Sequence, residues 1–301
     1  MKVKKSRACS FAILTLVYAL ATAAGVVCYI FIPLAMWLKL LVADVVATAV
    51  VFIFSALFKN ASVYDPYWSV QPIVITLAFA IVTIIRNNEL IKSGIVTQPL
   101  GATQIFLLAA ILIWGIRLTA NWAYTFKNLT QQDWRYTMLK EQTGKLYPLV
   151  NFAGIHLVPT LTVYACTLPA VYVISDAPPF NTGSALFCAL CLAAVIWQGT
   201  ADCQMHKFQK AQSGGFIRNG LWKYSRHPNY LGEIVMWWGV ALAAVCSLPQ
   251  MWYLIAGALA NTLLFLFVSI PMADRHQSRK EGFYEYKAQT RMLLPIKRPK
   301  Q

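Results

Sequence analysis

Residues 221–239 read LWKYSRHPNYLGEIVMWWG, and they set the terms for the whole chain. From Tyr230 onward the stretch is apolar enough to lie in hydrocarbon, yet Arg226, His227, Asn229 and Glu233 crowd its first turns. Ionisable groups at such depth are costly and persist where they line a site or pair with something polar. Pro228 suits the first turn of a helix. Asn229 and Glu233, four apart, then share a helix face, with Glu233 one turn deeper.

Working outward, the same apolar character recurs along the chain. Of 301 residues 58% are hydrophobic and 12% charged, a balance that excludes an ordinary soluble domain. A span needs about 20 apolar residues to cross about 30 Å of hydrocarbon. Runs of that kind fall at 9–32, 34–58, 67–85, 100–124, 149–175, 184–205, 230–248 and 251–271. The expectation is an all-α, polytopic membrane bundle of seven or eight spans. The second run carries Lys39 and Asp44 and could instead be re-entrant. The first follows Lys2, Lys4, Lys5 and Arg7, but it exceeds the 7–15 residues of a signal peptide's apolar core. It is read as a span.

The net charge of +15 raises the question of nucleic acid, and its placement answers it. With the N-terminus in the cytoplasm, every basic residue except Lys39, Arg86, Lys92 and Arg117 falls in a cytoplasmic segment. That is the positive-inside pattern, so both termini are expected there. The charge reports topology and attraction to anionic lipid or an anionic cofactor, not nucleic acid. The outer connection 176–183, DAPPFNTG, is short and rich in breakers, whereas the inner loops are long, basic and aromatic. The site should face the cytoplasm, in a bacterial inner membrane or one of endoplasmic-reticulum type. One domain is expected over 1–301, with N-terminal spans in 1–64 and the chemistry in 65–301.

Seven cysteines, nearly all inside spans, make no disulfide framework. Cys188 and Cys191 read as small residues at a helix contact. His156 stands alone on an apolar face and reads likewise, so no metal is expected. Walker, GxSxG, GxGxxG and HExxH patterns are absent.

Four further polar groups stand out. Gln198, Asp202 and His206 form one stripe of the sixth span. Arg117, with Asn121 and then Tyr124 further along the fourth, must find an anion or a cavity. Its bland partner would be Asp202 or Glu233. Asp65, in YDPYWSVQP beside Tyr64 and Tyr67, could polarise a carbonyl or simply cap a helix. Beyond the fourth span, DWRY brings Asp133, Arg135 and Tyr136. Gly214, Gly215 and Gly220, in SGGFIRNGLW, permit tight turns near a ligand.

Together YSRHPNYLGEIVMWWG, RLTANW…QQDWRY, DPYWS and FYEYKAQTRMLLPI resemble the steroid 5-alpha-reductase C-terminal-domain family, especially its branch of unknown function. The resemblance runs over about 65–295 and is strongest after Trp197. It implies a membrane reductase that uses NADPH on a carbon–carbon double bond conjugated to a carbonyl, in a lipid or steroid-like substrate. Asp202, Asn229 and Glu233 would contact NADPH, with Arg226 and Arg275 toward its phosphate or ribose. His227, Tyr230, Arg117 and Arg135 complete the cofactor set. Asp65 would hold the substrate carbonyl, with Tyr67 or Tyr124 as the partnering phenol. RHPNYLGE is also similar to S-adenosylmethionine-dependent isoprenylcysteine and phospholipid methyltransferases, and a non-catalytic lipid-binding protein is the third reading.

Overall fold

Apolar runs in a medium without water must satisfy their backbone internally, which makes helices the natural outcome. In the computed structural model, which describes residues 6–211 and 215–295, the chain is helical nearly throughout. The one β contact among the described residues is a parallel bridge between Ser225 and Arg291. Lys2, Lys4, Lys5, Gly214, Lys297, Arg298 and Lys300 lie outside the described residues.

Among the described residues eight helical segments are long and apolar enough to cross a membrane, as the runs predicted. They begin with α1 (Arg7–Phe31), α2 (Met36–Phe58), α3 (Tyr67–Lys92) and α4 (Ala102–Thr125). The fifth is composite: α5 (Trp134–Thr143), α6 (Tyr147–Val150), a π-helix (Asn151–Leu157) and α7 (Val158–Asp176). Then come α8 (Thr182–Ala211), α9 (Pro228–Ser247), and a last segment of α10 (Ala256–Leu264), a second π-helix (Phe265–Ser269) and α11 (Ile270–Gln277). Helix α12 (Phe283–Gln289) closes the chain's tail. The protein is an integral, multi-pass membrane protein.

Two readings gain detail. Helix α2 continues unbroken through Lys39 and Asp44 for 23 residues, so the polar pair does not interrupt it. DWRY, expected in a loop, begins α5, because the Asp133 carboxylate accepts from the Arg135 amide at 2.9 Å and caps the helix. Helix α9 starts at Pro228, as its fixed φ predicts.

The chain forms two compact units, neither a continuous stretch. Unit 1 comprises Met1–Ile75 and Leu118–Leu168, and unit 2 comprises Thr76–Arg117 and Pro169–Gln301. The core of unit 1 gathers Leu14, Val17, Val51, Tyr64, Tyr67 and Phe126. Its turn after α2 is stitched down by Asn60, whose amide donates to the Leu129 and Gln131 carbonyls at 2.7 and 3.0 Å. The Ser62 hydroxyl accepts from the Asp133 amide at 2.9 Å. These bonds place Asp65 beside α5.

In unit 2, α8 and α9 meet through glycines. A Cβ on Gly232 would come 2.9 Å from the Ala194 carbonyl oxygen, and one on Gly239 would strike Cys191. Cys188 and Cys191 are buried at this contact and unbridged, the packing role expected of them.

Candidate functional site

Close packing of α8 on α9 sets Gln198, Asp202, Asn229 and Glu233 in one region of unit 2. Glu233 is 2% exposed, and both carboxylate oxygens accept hydrogen bonds. Trp114 Nε1 and Gln198 Nε2 donate to Oε2 at 2.9 and 2.6 Å, and Trp237 Nε1 donates to Oε1 at 2.9 Å. Neutral donors thus replace water around a buried anion. Because the carboxylate only accepts, it fixes the Gln198 amide with nitrogen toward itself and Oε1 away. Gln198 Oε1 is buried and unpartnered.

One turn along α8, the Asp202 carboxylate holds Arg117 Nη1 at 2.7 Å. Of the partners considered for Arg117, Asp202 is the one it finds. Asn229 also hydrogen-bonds Asp202, and His206 is electrostatically coupled to it. Arg117 Nε, Arg117 Nη2 and Asn229 Oδ1 remain buried with no partner. Beside the Asp202 and Glu233 carboxylates, two guanidinium donors of Arg117 and two amide acceptors, counting Gln198 Oε1, are therefore unmatched. Native interiors rarely leave such groups unmet, so each calls for a partner.

The cationic residues nearer the tail are engaged otherwise. Arg226 is buried, donates to both Asp274 oxygens at 3.4 and 3.0 Å, and gives Nη1 to the Thr290 carbonyl at 2.6 Å. His227 Nε2 lies 2.9 Å from Asp274 Oδ1. Arg226 and His227 thereby strap the tail rather than reach outward. Tyr230 stacks on His227 and packs against Phe265, with centroids 5.3 and 4.9 Å apart. Arg275 is exposed on α11. Asp274, absent from the expected set, is the hub of this strap.

Unit 1 holds two carboxyl–phenol pairs. Tyr136 donates to Asp65 Oδ1 at 2.6 Å, while Arg135 pairs with Asp133 at 2.8 Å. Tyr67 donates instead to Asp44 Oδ1 at 2.7 Å, and Gln71 Nε2 donates to Oδ2 at 3.1 Å. So Asp65 and Tyr67, read as partners, belong to different pairs. Tyr124 is 52% exposed at the end of α4.

In the same unit the Thr48 and Thr160 oxygens are 3.0 Å apart, and Thr160 meets the Tyr64 hydroxyl at 2.9 Å. Asp44 was legible as a carboxylate inside a span, where a functional role is the default reading. Tyr136 carried no such signal, because its pairing arises from the turn at Asn60.

Comparison with known proteins adds a family. An uncharacterized protein of Schizosaccharomyces pombe is 23% identical over 206 residues, covering 60% of this chain and 56% of that protein. The match thus spans little more than half of the relative's length. No solved structure matches the chain. A profile described as "Protein of unknown function (DUF1295)" matches residues 51–290. It takes in Asp65, Arg117, Asp202, Glu233 and Asp274 together, and on that match the chain belongs to the DUF1295 family.

Proposed function

We propose that this protein is an NADPH-dependent membrane reductase of a carbon–carbon double bond conjugated to a carbonyl, acting on a lipid or steroid-like substrate from a cytoplasm-facing site. The observation that carries the proposal is the group of unmatched buried atoms that adjoins Asp202 and Glu233: Arg117 Nε and Nη2 as donors, Gln198 Oε1 and Asn229 Oδ1 as acceptors. A ligand that fits must offer acceptors and donors together. Phosphate and ribose oxygens offer the first, ribose hydroxyls and a carboxamide the second. The resemblance to the steroid 5-alpha-reductase C-terminal-domain family supports the same cofactor.

When bound, NADPH supplies a hydride to the β carbon of the substrate. Arg117 and Asn229 bind and orient, held by Asp202, and Glu233 keeps the Gln198 acceptor facing outward. Negative charge develops on the carbonyl oxygen, and a carboxyl–phenol pair of the kind found in unit 1 is the chemistry that holds a proton for it. Asp44 with Tyr67 suits this better than Asp65 with Tyr136. It is the more buried pair, with Asp44 5% exposed.

Detergent-purified protein titrated side by side with NADPH, NADH and S-adenosylmethionine, read by calorimetry, tests the reading. Saturable binding selective for NADPH is expected. Selective S-adenosylmethionine binding would make the protein a methyltransferase, and no binding of any of the three would make it a lipid-binding protein.

A further inference from the structure

The backbone ladder of the fifth span widens to a π-helix over Asn151–Leu157, a rare element that recurs at functional sites. Three of its side chains are buried, and two of these are polar, Asn151 at 7% exposure and His156 at 0%. Each ends in an atom that no described protein group meets, Asn151 Oδ1 and His156 Nε2. The other ring nitrogen, Nδ1, lies 2.9 Å from the Asn151 carbonyl oxygen. A carbonyl only accepts, so Nδ1 carries the proton, and in the neutral tautomer that this bond selects Nε2 is a bare acceptor.

Asn151 Oδ1 is an acceptor as well. What the π-turn lacks is a donor, and its neighbours do not provide one. The Tyr64, Thr160 and Thr48 hydroxyls are hydrogen-bonded to one another, and none of them meets His156 Nε2. The imidazole is otherwise bounded by aromatic rings, Tyr64 at 4.8 Å and Phe52 at 5.3 Å between centroids. A metal ion would need further ligands, and no group of three His, Cys, Asp or Glu forms among the described residues.

We propose that this π-turn binds the hydroxyl group of a membrane-soluble alcohol. The hydroxyl donates its single proton to His156 Nε2 in a three-centre bond shared with Asn151 Oδ1, and the rings of Phe52 and Tyr64 pack on the adjoining hydrocarbon. A hydroxyl supplies the missing donor without bringing a charge into an apolar span. An apolar body lets the ligand arrive through the lipid. The site uses unit 1 alone and stands whether or not unit 2 binds a dinucleotide.

The test uses the full-length protein labelled with ¹⁵N-histidine in a detergent without hydroxyl groups, the His156 resonance being identified by its loss in His156→Gln. Hexadecanol, farnesol and cholesterol are each titrated against the corresponding methyl ether. At least one alcohol should move the Nε2 resonance saturably, in the direction of an accepted hydrogen bond, while its ether leaves it in place. Asn151→Leu, with helical circular dichroism retained, should weaken that saturation at least fivefold. The proposal is overturned if Nε2 carries the proton, if alcohol and ether act alike, or if none of the alcohols moves the resonance, the last being the behaviour of a resident water.

Discussion

Glu233 shows what one buried carboxylate can organise. Its two oxygens take three neutral donors from Trp114, Gln198 and Trp237, so its removal strands all three. Each unmet buried donor costs about 1–3 kcal/mol. Glu233→Ala should therefore unfold the protein well below the wild-type temperature in detergent, whereas Trp237→Phe, which removes one of the three donors and part of the ring's packing, should cost less. Asp44 makes a different prediction. Asp44→Asn should lower turnover of an enone at least tenfold while leaving NADPH affinity unchanged, as single-turnover kinetics beside calorimetry would read. An equal loss at Asp65→Asn alone, with Asp44→Asn fully active, would assign the chemistry to the other pair. At this scale the sequence exposed residue types but not partners. Asp202, Asn229 and Glu233 stood out as polar groups in an apolar context. That Tyr67 turns to Asp44, and Tyr136 to Asp65, depends on contacts 23 and 71 residues apart in the chain, and spacing along a helix carries no information about those.

Elements are positioned here by close backbone approach and by caps. Gly232 lets α8 and α9 touch, because an added methyl would stand 2.9 Å from the Ala194 carbonyl oxygen and 2.8 Å from Gln198 Cβ. Backbone cannot yield as a side chain does, so Gly232→Ala should destabilise by about 1–3 kcal/mol and displace Gln198, weakening the proposed cofactor site along with the fold. The tail is held by Arg226 on Asp274 and by the Tyr286 hydroxyl on the Trp222 carbonyl. Burial raises the Tyr286 phenol above its ordinary value, more than the nearby Arg226 guanidinium lowers it. A phenol whose folded value is raised contributes stability that is complete below its unfolded value, about 10, and is lost as pH climbs beyond it. Limited proteolysis within 278–295 should accordingly stay slow from pH 7 to 9 and accelerate above about 10, and Tyr286→Phe should remove that alkaline step. Most helix ends were legible from apolar runs to within two residues, whereas α3, α8 and α11 run six or seven residues past theirs. The α5 start was not, since one cap by Asp133 decides it, and neither were the π-helices, which obey no apolar period.

At the scale of the molecule, eight spans and a basic bias in alternate loops were readable from composition alone, because hydrocarbon admits few solutions. The arrangement predicts that, in a cysteine-free background, single cysteines placed in 177–181 react with a membrane-impermeant maleimide from outside, and those in 127–132 only after permeabilisation. The reverse labelling would invert the protein and move the site to the other face. What the runs could not reveal is that the chain divides into two interleaved units, since that depends on which helices pair. The claim on which the functional account rests is that Arg117, Asn229 and Gln198 in unit 2 hold the dinucleotide. NADPH affinity of Asn229→Ala against wild type, by calorimetry on protein of matched thermal stability, tests it most directly. Loss of one well-placed buried hydrogen bond should weaken binding by about 1–3 kcal/mol, on the order of tenfold or more; identical affinity in the two proteins would remove the dinucleotide from this site.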